Sequence, residues 1–585
     1  MHPAVIPNVS TRSPRIWPVG GVALLSWLSI VASLDPAGSY PGMPEGPGLT
    51  IDEVFNVEQG VYLVEQGRGL GWLNLIPGTS QEAYRREHGY NPDHPPLGRW
   101  WLGVHHHVTW GLFPPFNPEG YCVTACARTG SATAFALTVL LVGGFATRWS
   151  GTAAGVMTAI SLVCMPRLFG HAHVASLETM TNLTCTAAVL AVAGWWTGGA
   201  APCRRRALLA GVFLGLALVT KIQAVLIPIP VICWACWRWR FQAVVPLMIW
   251  GVTGLVVFYL SWPYLWFAPL EHGLEYLGRA TQRATIQVWY FGQKYADKEV
   301  PWHYPFVMFG LTVPLILHGL GMLGLLRREQ QNVSVSSMPA ANLIHGGATG
   351  SQAAPRENSS SRSDNLDPSA GSRDLLLLAC TLFPLVVFAM PGVAVYDGER
   401  LFLTSFPLWS IFVGRGWVVL WQWLHQRIGV RPLCIGICGT LLACSAWPLV
   451  AMSPCYLSYY NELTPWIAEL AGEEPELEID YWGEGITRSL LKQLVDEVPR
   501  GATVAVMPTL HQFQADEYRR QSPLLRAHDI KMEEYQPDSV GQSSVLIYQR
   551  RADLPQGWRT IRPEQIRGRT IRQGRMLAGI LNRDP

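Results

Sequence analysis

From Pro18 to Pro454 this chain returns again and again to apolar stretches of about 17–25 residues, each long enough to cross a hydrocarbon core of ~30 Å as a helix. Inside a bilayer every backbone N–H and C=O must be satisfied within the protein, which leaves a bundle of transmembrane helices as the expected architecture. Composition agrees: 15% of the 585 residues are charged and 25 are Trp, whereas a soluble domain carries roughly a quarter charged residues. The net charge of +3 gives no ground for nucleic acid as a partner. The twelve Cys show no zinc-like spacing, and Cys164, Cys185, Cys233 and Cys236 fall in apolar runs as small packing groups. Cys122 and Cys126, one helical turn apart, are open to either a disulfide or metal pair or plain packing.

Eleven helices are expected, beginning near Pro18, Tyr121, Ser150, Thr179, Ala207, Ile222, Gln242, Tyr304, Asp374, Leu401 and Pro432. The first, "PVGGVALLSWLSIVASL", follows Arg12 and Arg15 and precedes no small-residue cleavage motif, so it reads as an uncleaved helix and not as a signal peptide. Arg12, Arg15, Arg148, Arg204 to Arg206, Arg238, Arg240, Arg327, Arg328, Arg427 and Arg431 all fall on one side, which the positive-inside rule makes the cytoplasm. The expected layout is therefore a cytoplasmic tail (1–17), a transmembrane domain (18–454) and a small extracytoplasmic α/β domain (455–585). The first outer loop spans 35–120, and the Ser-, Asn- and Gly-rich stretch 327–373 is expected to be a disordered cytoplasmic loop. In the tail, "ATVAVMP" and "SVLIYQRR" read as strands, while "SLLKQLVDEV" and "EYRRQSPLLRAH" read as helices. Its basic end, "RPEQIRGRTIRQGRMLAGILNRDP", either touches anionic headgroups or is a solvated surface.

Four polar stretches share the outer face. "TIDEVFNVEQG" carries Asp52 and Glu53 side by side. "YNPDHPPLGRWWLG" holds His94 in a Pro-Pro turn, followed by Arg99 and an interfacial aromatic helix. "MPRLFGHAHVASLETM" supplies Arg167, His171, His173 and Glu178, and "VYDGERLFL" supplies Tyr396, Asp397, Glu399 and Arg400. Charged groups at membrane level are costly unless they pair or line a wet cavity, which makes them functional candidates. Bland roles compete: a capping turn for Asp52 and Glu53, a brace for His94, snorkelling for Lys221, and amphipathic packing for His171 and His173 against a divalent metal held with Glu178.

Asp-Glu in the first outer loop, then His-Pro-Pro-Leu-Gly, resembles the GT-C superfamily of polyprenyl-phosphate-sugar glycosyltransferases. The nearest branch is the protein O-mannosyltransferase family (dolichyl- or polyprenyl-phosphate-mannose-protein mannosyltransferases), related to the lipid A aminoarabinose transferases. "PRLFGHAHVASLETM", "GLALVTK", "PWHYP", "DGERLFLTSFPLW" and "SYYNEL" extend the similarity from Ile51 to about Leu463. The resemblance implies Asp52 as catalytic base with Glu53 as its companion, and Glu178 as a second acidic residue facing the same cavity. It implies a phosphate-binding role for Arg99, where relatives often have Lys, although Glu178 stands where Asp is more usual. His94, Arg167, His171, Lys221, Asp397 and Arg400 complete the expected substrate-binding set.

The donor so implied is a sugar, with mannose the first candidate, on a polyprenyl phosphate whose tail lies in the bilayer. The acceptor is a hydroxyl of a protein, a lipid or a polymer. A carboxylate in reach of that hydroxyl serves as general base, and cations such as Arg99, Arg400 and Lys221 stabilise charge growing on the departing phosphate. Inversion at the anomeric carbon is the family's habit; no cofactor is required, with a divalent metal left open. The competing readings are a transporter or flippase of a lipid-linked sugar, against which few mid-span charges and no inverted repeat speak, and an inactive scaffold relative.

Overall fold

Apolar runs become helices because a helix closes its own backbone hydrogen bonds. The computed structural model describes residues 15–326 and 368–582, apart from 41, 73–75, 77–78, 112–122, 282–283, 472–475, 537–543, 560 and 562. It is mostly helical, with apolar helices at Trp17–Val31, Thr124–Val163, Glu178–Trp195, Arg204–Leu218, Pro228–Trp239, Val244–Leu260, Tyr304–Thr312, Leu315–Leu326, Pro368–Phe388, Ser405–Ile428 and Arg431–Met452. Among the described residues Thr124–Val163, Ile222–Leu260, Ala370–Phe388 and Arg431–Met452 are each long and apolar enough to cross a membrane, and the bent pair Tyr304–Thr312 and Leu315–Leu326 adds a fifth run.

The helix expected to begin near Ser150 is present: two helices meet at Gly151, whose φ of 86° only glycine adopts without strain, and the second packs back on the first so that a Cβ on Gly155 would stand 2.6 Å from Gly143 O. Two other elements differ from expectation. The run from Tyr304 turns by 106° at Val313–Pro314, because a proline disfavours the helical conformation of the residue before it, and Val313 is extended. That break frees carbonyls, and Asn461 of "SYYNEL" satisfies them: its Nδ2 donates to Gly310 O (2.7 Å) and Val313 O (2.8 Å), and its backbone N–H donates to Leu311 O (2.8 Å). Finally, residues 368–373, expected to be part of a disordered loop, open the Pro368–Phe388 helix. Asp374 pairs there with Arg415 at 2.8 Å, and the Arg373 guanidinium lies over Trp149, so side-chain contacts hold the helix beyond its apolar core. Residues 1–14 of the expected tail, Cys122 and the rest of the 327–373 loop (327–367) lie outside the described residues.

The first loop is also more helical than its polarity suggested. Helices Glu53–Leu70 and Leu97–Thr109 cross at Gly60 and Gly103, where a Cβ on Gly103 would stand 2.0 Å from Gly60 O. The backbones can approach that closely only without side chains, and the crossing fixes Asp52 relative to the His94 turn. A hairpin, β1 (Gln287–Tyr290) and β2 (Gln293–Ala296), follows further on.

The C-terminal part is α/β. Strands β3 (Thr503–Met507), β4 (Lys531–Glu534), β5 (Ser544–Tyr548), β6 (Ile566–Arg572) and β7 (Arg575–Asn582) form one sheet in the order β4-β3-β5-β7-β6. β3 pairs parallel with β4 and β5, and the remaining pairs are antiparallel. "ATVAVMP" and "SVLIYQRR" are thus β3 and β5. "SLLKQLVDEV" lies in the helix Arg488–Glu497, which buries Leu490, Leu491 and Leu494 in one core with Val504, Val506 and Leu546. "EYRRQSPLLRAH" divides at Ser522–Pro523 into two helices, with the Ser522 hydroxyl accepting from Leu525 N–H. The basic end is the β6–β7 hairpin, turning at Gln573 and Gly574, whose positive φ values suit a tight two-residue turn. Buried hydrogen bonds tie the helix Gln512–Gln521 of this domain to the membrane part: Thr124 Oγ1, at the start of the Thr124–Val163 helix, donates to Glu517 Oε1 (2.7 Å), and Leu49 N–H of the first loop donates to Tyr518 OH (3.0 Å).

Candidate active site

Asp52 stands just before the helix Glu53–Leu70 without a capping hydrogen bond from its side chain, and its side chain is 37% exposed. It faces a cleft of about 880 Å³, counted out to its open mouth, whose lining includes His94, Tyr396, Asp397, Arg400, Trp482, Thr509, His511 and Arg550. Arg400 stands on a short turn (Arg400–Phe402) after Asp397 and Gly398, whose φ values are 53° and 66°. A left-handed Asp is uncommon and costs energy; here contacts on both sides of Asp397 hold it. The turn aims one guanidinium at three carboxylates. Nη2 donates to Asp52 Oδ2 (2.5 Å), Nε to Glu178 Oε1 (2.6 Å) and Nη1 to Asp397 Oδ2 (3.0 Å), while the plane lies 4.6 Å over the Trp482 ring.

Glu178 opens the helix Glu178–Trp195, and its Oε1 also takes a hydrogen bond from Lys221 Nζ (2.5 Å). Lys221 occupies the extended break between Arg204–Leu218 and Ile222–Leu226, where the helix ends and its side chain is buried. Asp52, Arg400, Glu178 and Lys221 therefore form one continuous chain of charge. Beside it lie a small pocket lined by Glu178, Lys221, Gln223, Arg400 and Thr404 and a narrow, mostly apolar one. Gln223 and Thr404 line both, and Val189, Leu226, Ile227, Phe383 and Leu408 line the apolar end.

His94 borders the cleft as expected. Burial, reinforced by the charges of Arg99, Lys221 and Arg400 and opposed by Asp93, holds its pKa down to about 4, so the ring is neutral near pH 7. Asp397 is shared by two arginines: its Oδ1 lies 3.6 Å from Arg550 Nη2.

Glu53 and Arg99 do not line this cleft. Glu53 is fully buried and accepts from Arg128 Nε (2.6 Å), Arg128 Nη2 (2.8 Å), Ala175 N–H (2.6 Å) and Thr50 N–H (3.2 Å). A carboxylate carrying four donors is structural, and Arg128 also donates to Leu34, Pro47 and Gly48 carbonyls. Arg99 donates to Asp93 (2.6 and 3.1 Å), Asn91 O (2.8 Å) and Asn56 Oδ1 (3.2 Å), which braces the His94 turn. Arg167 and His171 form a second buried node behind the first. Arg167 Nη1 pairs with Glu399 (2.5 Å), its guanidinium stacks on Tyr460, and His171 Nε2 lies 3.9 Å from Glu399. His173 Nδ1 bonds Phe169 O at 2.7 Å. Among the described residues no group of three or more His, Cys, Asp or Glu side chains converges as a metal site.

Sequence reasoning missed Arg128, Trp482 and Arg550. Arg128 had a signal, a lone cation in the otherwise uncharged start of a long apolar helix. Trp482 and Arg550 had none, since their partner Asp397 is far away in the chain.

Residues 61–270 match the family model described as dolichyl-phosphate-mannose-protein mannosyltransferase. That match takes in His94, Arg99, Arg167, His171, Glu178 and Lys221, and so agrees with the resemblance read from the motifs. No curated protein matches. Among solved structures the chain is similar to ArnT from Cupriavidus metallidurans bound to undecaprenyl phosphate, at 13% identity over 97% of each chain with a TM-score of 0.44. It is also similar to the oligosaccharyltransferase AglB from Archaeoglobus fulgidus in complex with an inhibitory peptide and a dolichol-phosphate, at 10% identity over 91% of this chain and 69% of that one, TM-score 0.44.

Proposed function

We propose that this chain is an integral membrane glycosyltransferase. It moves one sugar, mannose being the first candidate, from a polyprenyl phosphate to an acceptor hydroxyl on the extracytoplasmic side. The observation that carries this reading is the charge chain at the floor of the cleft. Arg400, shared between Asp52 and Glu178 and backed by Lys221, stands where a polar cleft meets an apolar crevice. A lipid phosphate needs such a junction: cations for the headgroup and an apolar groove for the first units of the tail.

The donor phosphate would take up guanidinium hydrogen bonds now made to Asp52, releasing that carboxylate toward the acceptor. Asp52 then removes the hydroxyl proton as the oxygen attacks the anomeric carbon. The C–O bond to phosphate breaks with its electron pair going to the phosphate, whose new charge Arg400 and Lys221 stabilise. One displacement without a covalent intermediate inverts the anomeric centre.

The test uses the full chain reconstituted in lipid with a set of radiolabelled polyprenyl-phosphate sugars. Wild-type protein should release label from at least one donor, and Asp52→Asn should lower that rate by roughly 10²–10⁴-fold without loss of folded protein. Label release unchanged by D52N would remove Asp52 as the base. No release from any donor would sink the enzyme reading.

A further inference from the structure

The wall of the cleft opposite Asp52 is built by the C-terminal sheet, and its topology places a ligand site there. β3 and β5 are parallel neighbours. After β3 the chain leaves toward β4 on one side, and after β5 it passes to β6, beyond β7, on the other. In open sheets of this kind the crevice outside the carboxyl ends of two such strands is where ligands bind. Thr509 and His511 follow β3, while Arg550 and Asp553 follow β5; all four line the catalytic cleft. The two exits are tied together by Tyr548 OH donating to Thr509 O at 3.1 Å.

Charge narrows the ligand. Arg550 is spent: Nε donates to Asp553 Oδ2 (2.6 Å), Nη1 to Tyr481 O (2.8 Å), and Nη2 faces Asp397. The cleft lining holds three carboxylates (Asp52, Asp397, Asp553) against two guanidiniums (Arg400, Arg550), and a donor phosphate brings further negative charge. A second anion would find no uncommitted guanidinium among the described lining residues. On this wall of the cleft the groups that remain are the Thr509 hydroxyl, the exposed His511 imidazole and Oδ1 of the partly exposed Asp553, whose Oδ2 is taken by Arg550, beside the His511–Phe513 ring pair stacked at 5.3 Å. These are hydroxyl-recognising groups with an aromatic face. A peptide could not bind here by adding a strand, since β3 and β5 are both interior to the sheet.

We infer that the crevice formed by Thr509, His511 and Asp553 is the acceptor site and that it takes a neutral saccharide hydroxyl. This rests on the transferase reading above and names its acceptor class. Equilibrium binding to the full-length Asp52→Asn protein in lipid nanodiscs tests it without any sugar transfer. The probes are mannobiose, cellobiose, lactose and N,N′-diacetylchitobiose, with mannose 6-phosphate and a Ser/Thr-rich peptide beside them. At least one neutral disaccharide should bind. Adding His511→Ala or Asp553→Asn should weaken that binding by about tenfold, the worth of one or two hydrogen bonds. His511 is exposed, so H511A keeps the fold even if D553N does not. Binding of none of the disaccharides, binding untouched by H511A, or preference for the phosphate or the peptide would overturn the inference. Loss of transfer with saccharide binding intact would instead strike only the catalytic reading.

Discussion

The Asp52 and Glu53 carboxylates are neighbours in the chain and have opposite fates. Asp52 points into the cleft on Arg400, whereas Glu53 turns inward to Arg128. The two are therefore separable by experiment. Glu53→Gln leaves Arg128 as a buried cation without its counter-charge, a loss of about 3–5 kcal/mol, and should show as a fall in thermal midpoint in detergent. Asp52→Asn should lower that midpoint by much less, since Asp52 is 37% exposed and Arg400 keeps Glu178 and Asp397 as counter-charges, while cutting transfer by roughly 10²–10⁴-fold. In the C-terminal domain a different carboxylate carries a pH signature. Burial first, and the adjacent Asp480 carboxylate second, push the Glu484 pKa up to about 8, with Ser458 donating twice to the same carboxyl oxygen. The folded state then holds a proton that the unfolded chain, titrating near 4.5, gives up. Stability from this group is complete below about 4.5 and is lost as pH rises toward 8. Thermal melts between pH 5 and 8 should show that decline in wild type and a flatter profile in Glu484→Gln.

At the scale of elements, the site is assembled where helices stop. Lys221 occupies a break between helices, Asp52 and Glu178 stand at helix starts, and Arg400 follows a left-handed turn. Asn461 shows how such breaks are made tolerable, since it satisfies three carbonyls of the bend at Val313–Pro314. Asn461→Ala keeps the backbone donor but strands two buried carbonyls, at about 1–3 kcal/mol each. It should lower the thermal midpoint without changing which donor is used. Most of these starts were legible, because motif strings such as "DGERLF" and "GLALVTK" end at them and apolar length marks the helices between. The 106° bend was not, although Pro314 was in view: a proline in an apolar run signals restriction, and whether the helix kinks or breaks depends on a partner such as Asn461. The helix Glu53–Leu70 was hidden by its Gly and polar residues, its packing decided by Gly60 against Gly103.

Across the whole molecule, the cleft closes only when distant parts of the chain meet. Asp52 and Arg400 are 348 residues apart, and the far wall comes from strands after residue 503. Local patterns cannot report such pairs, which is why Arg550 and Trp482 went unnoticed. Arg400 lines both the polar cleft and the small pocket beside Glu178 and Lys221, and Gln223 and Thr404 line both that pocket and the apolar one, an order that the proposed lipid phosphate would follow. A structure of the protein in lipid with bound polyprenyl phosphate tests that order most directly. The account expects the phosphate within hydrogen-bond distance of Arg400 and Lys221, the first isoprenoid units against Leu226, Ile227 and Phe383, and Asp52 released from the guanidinium. A phosphate bound elsewhere, with the Asp52–Arg400 pair intact, would contradict it.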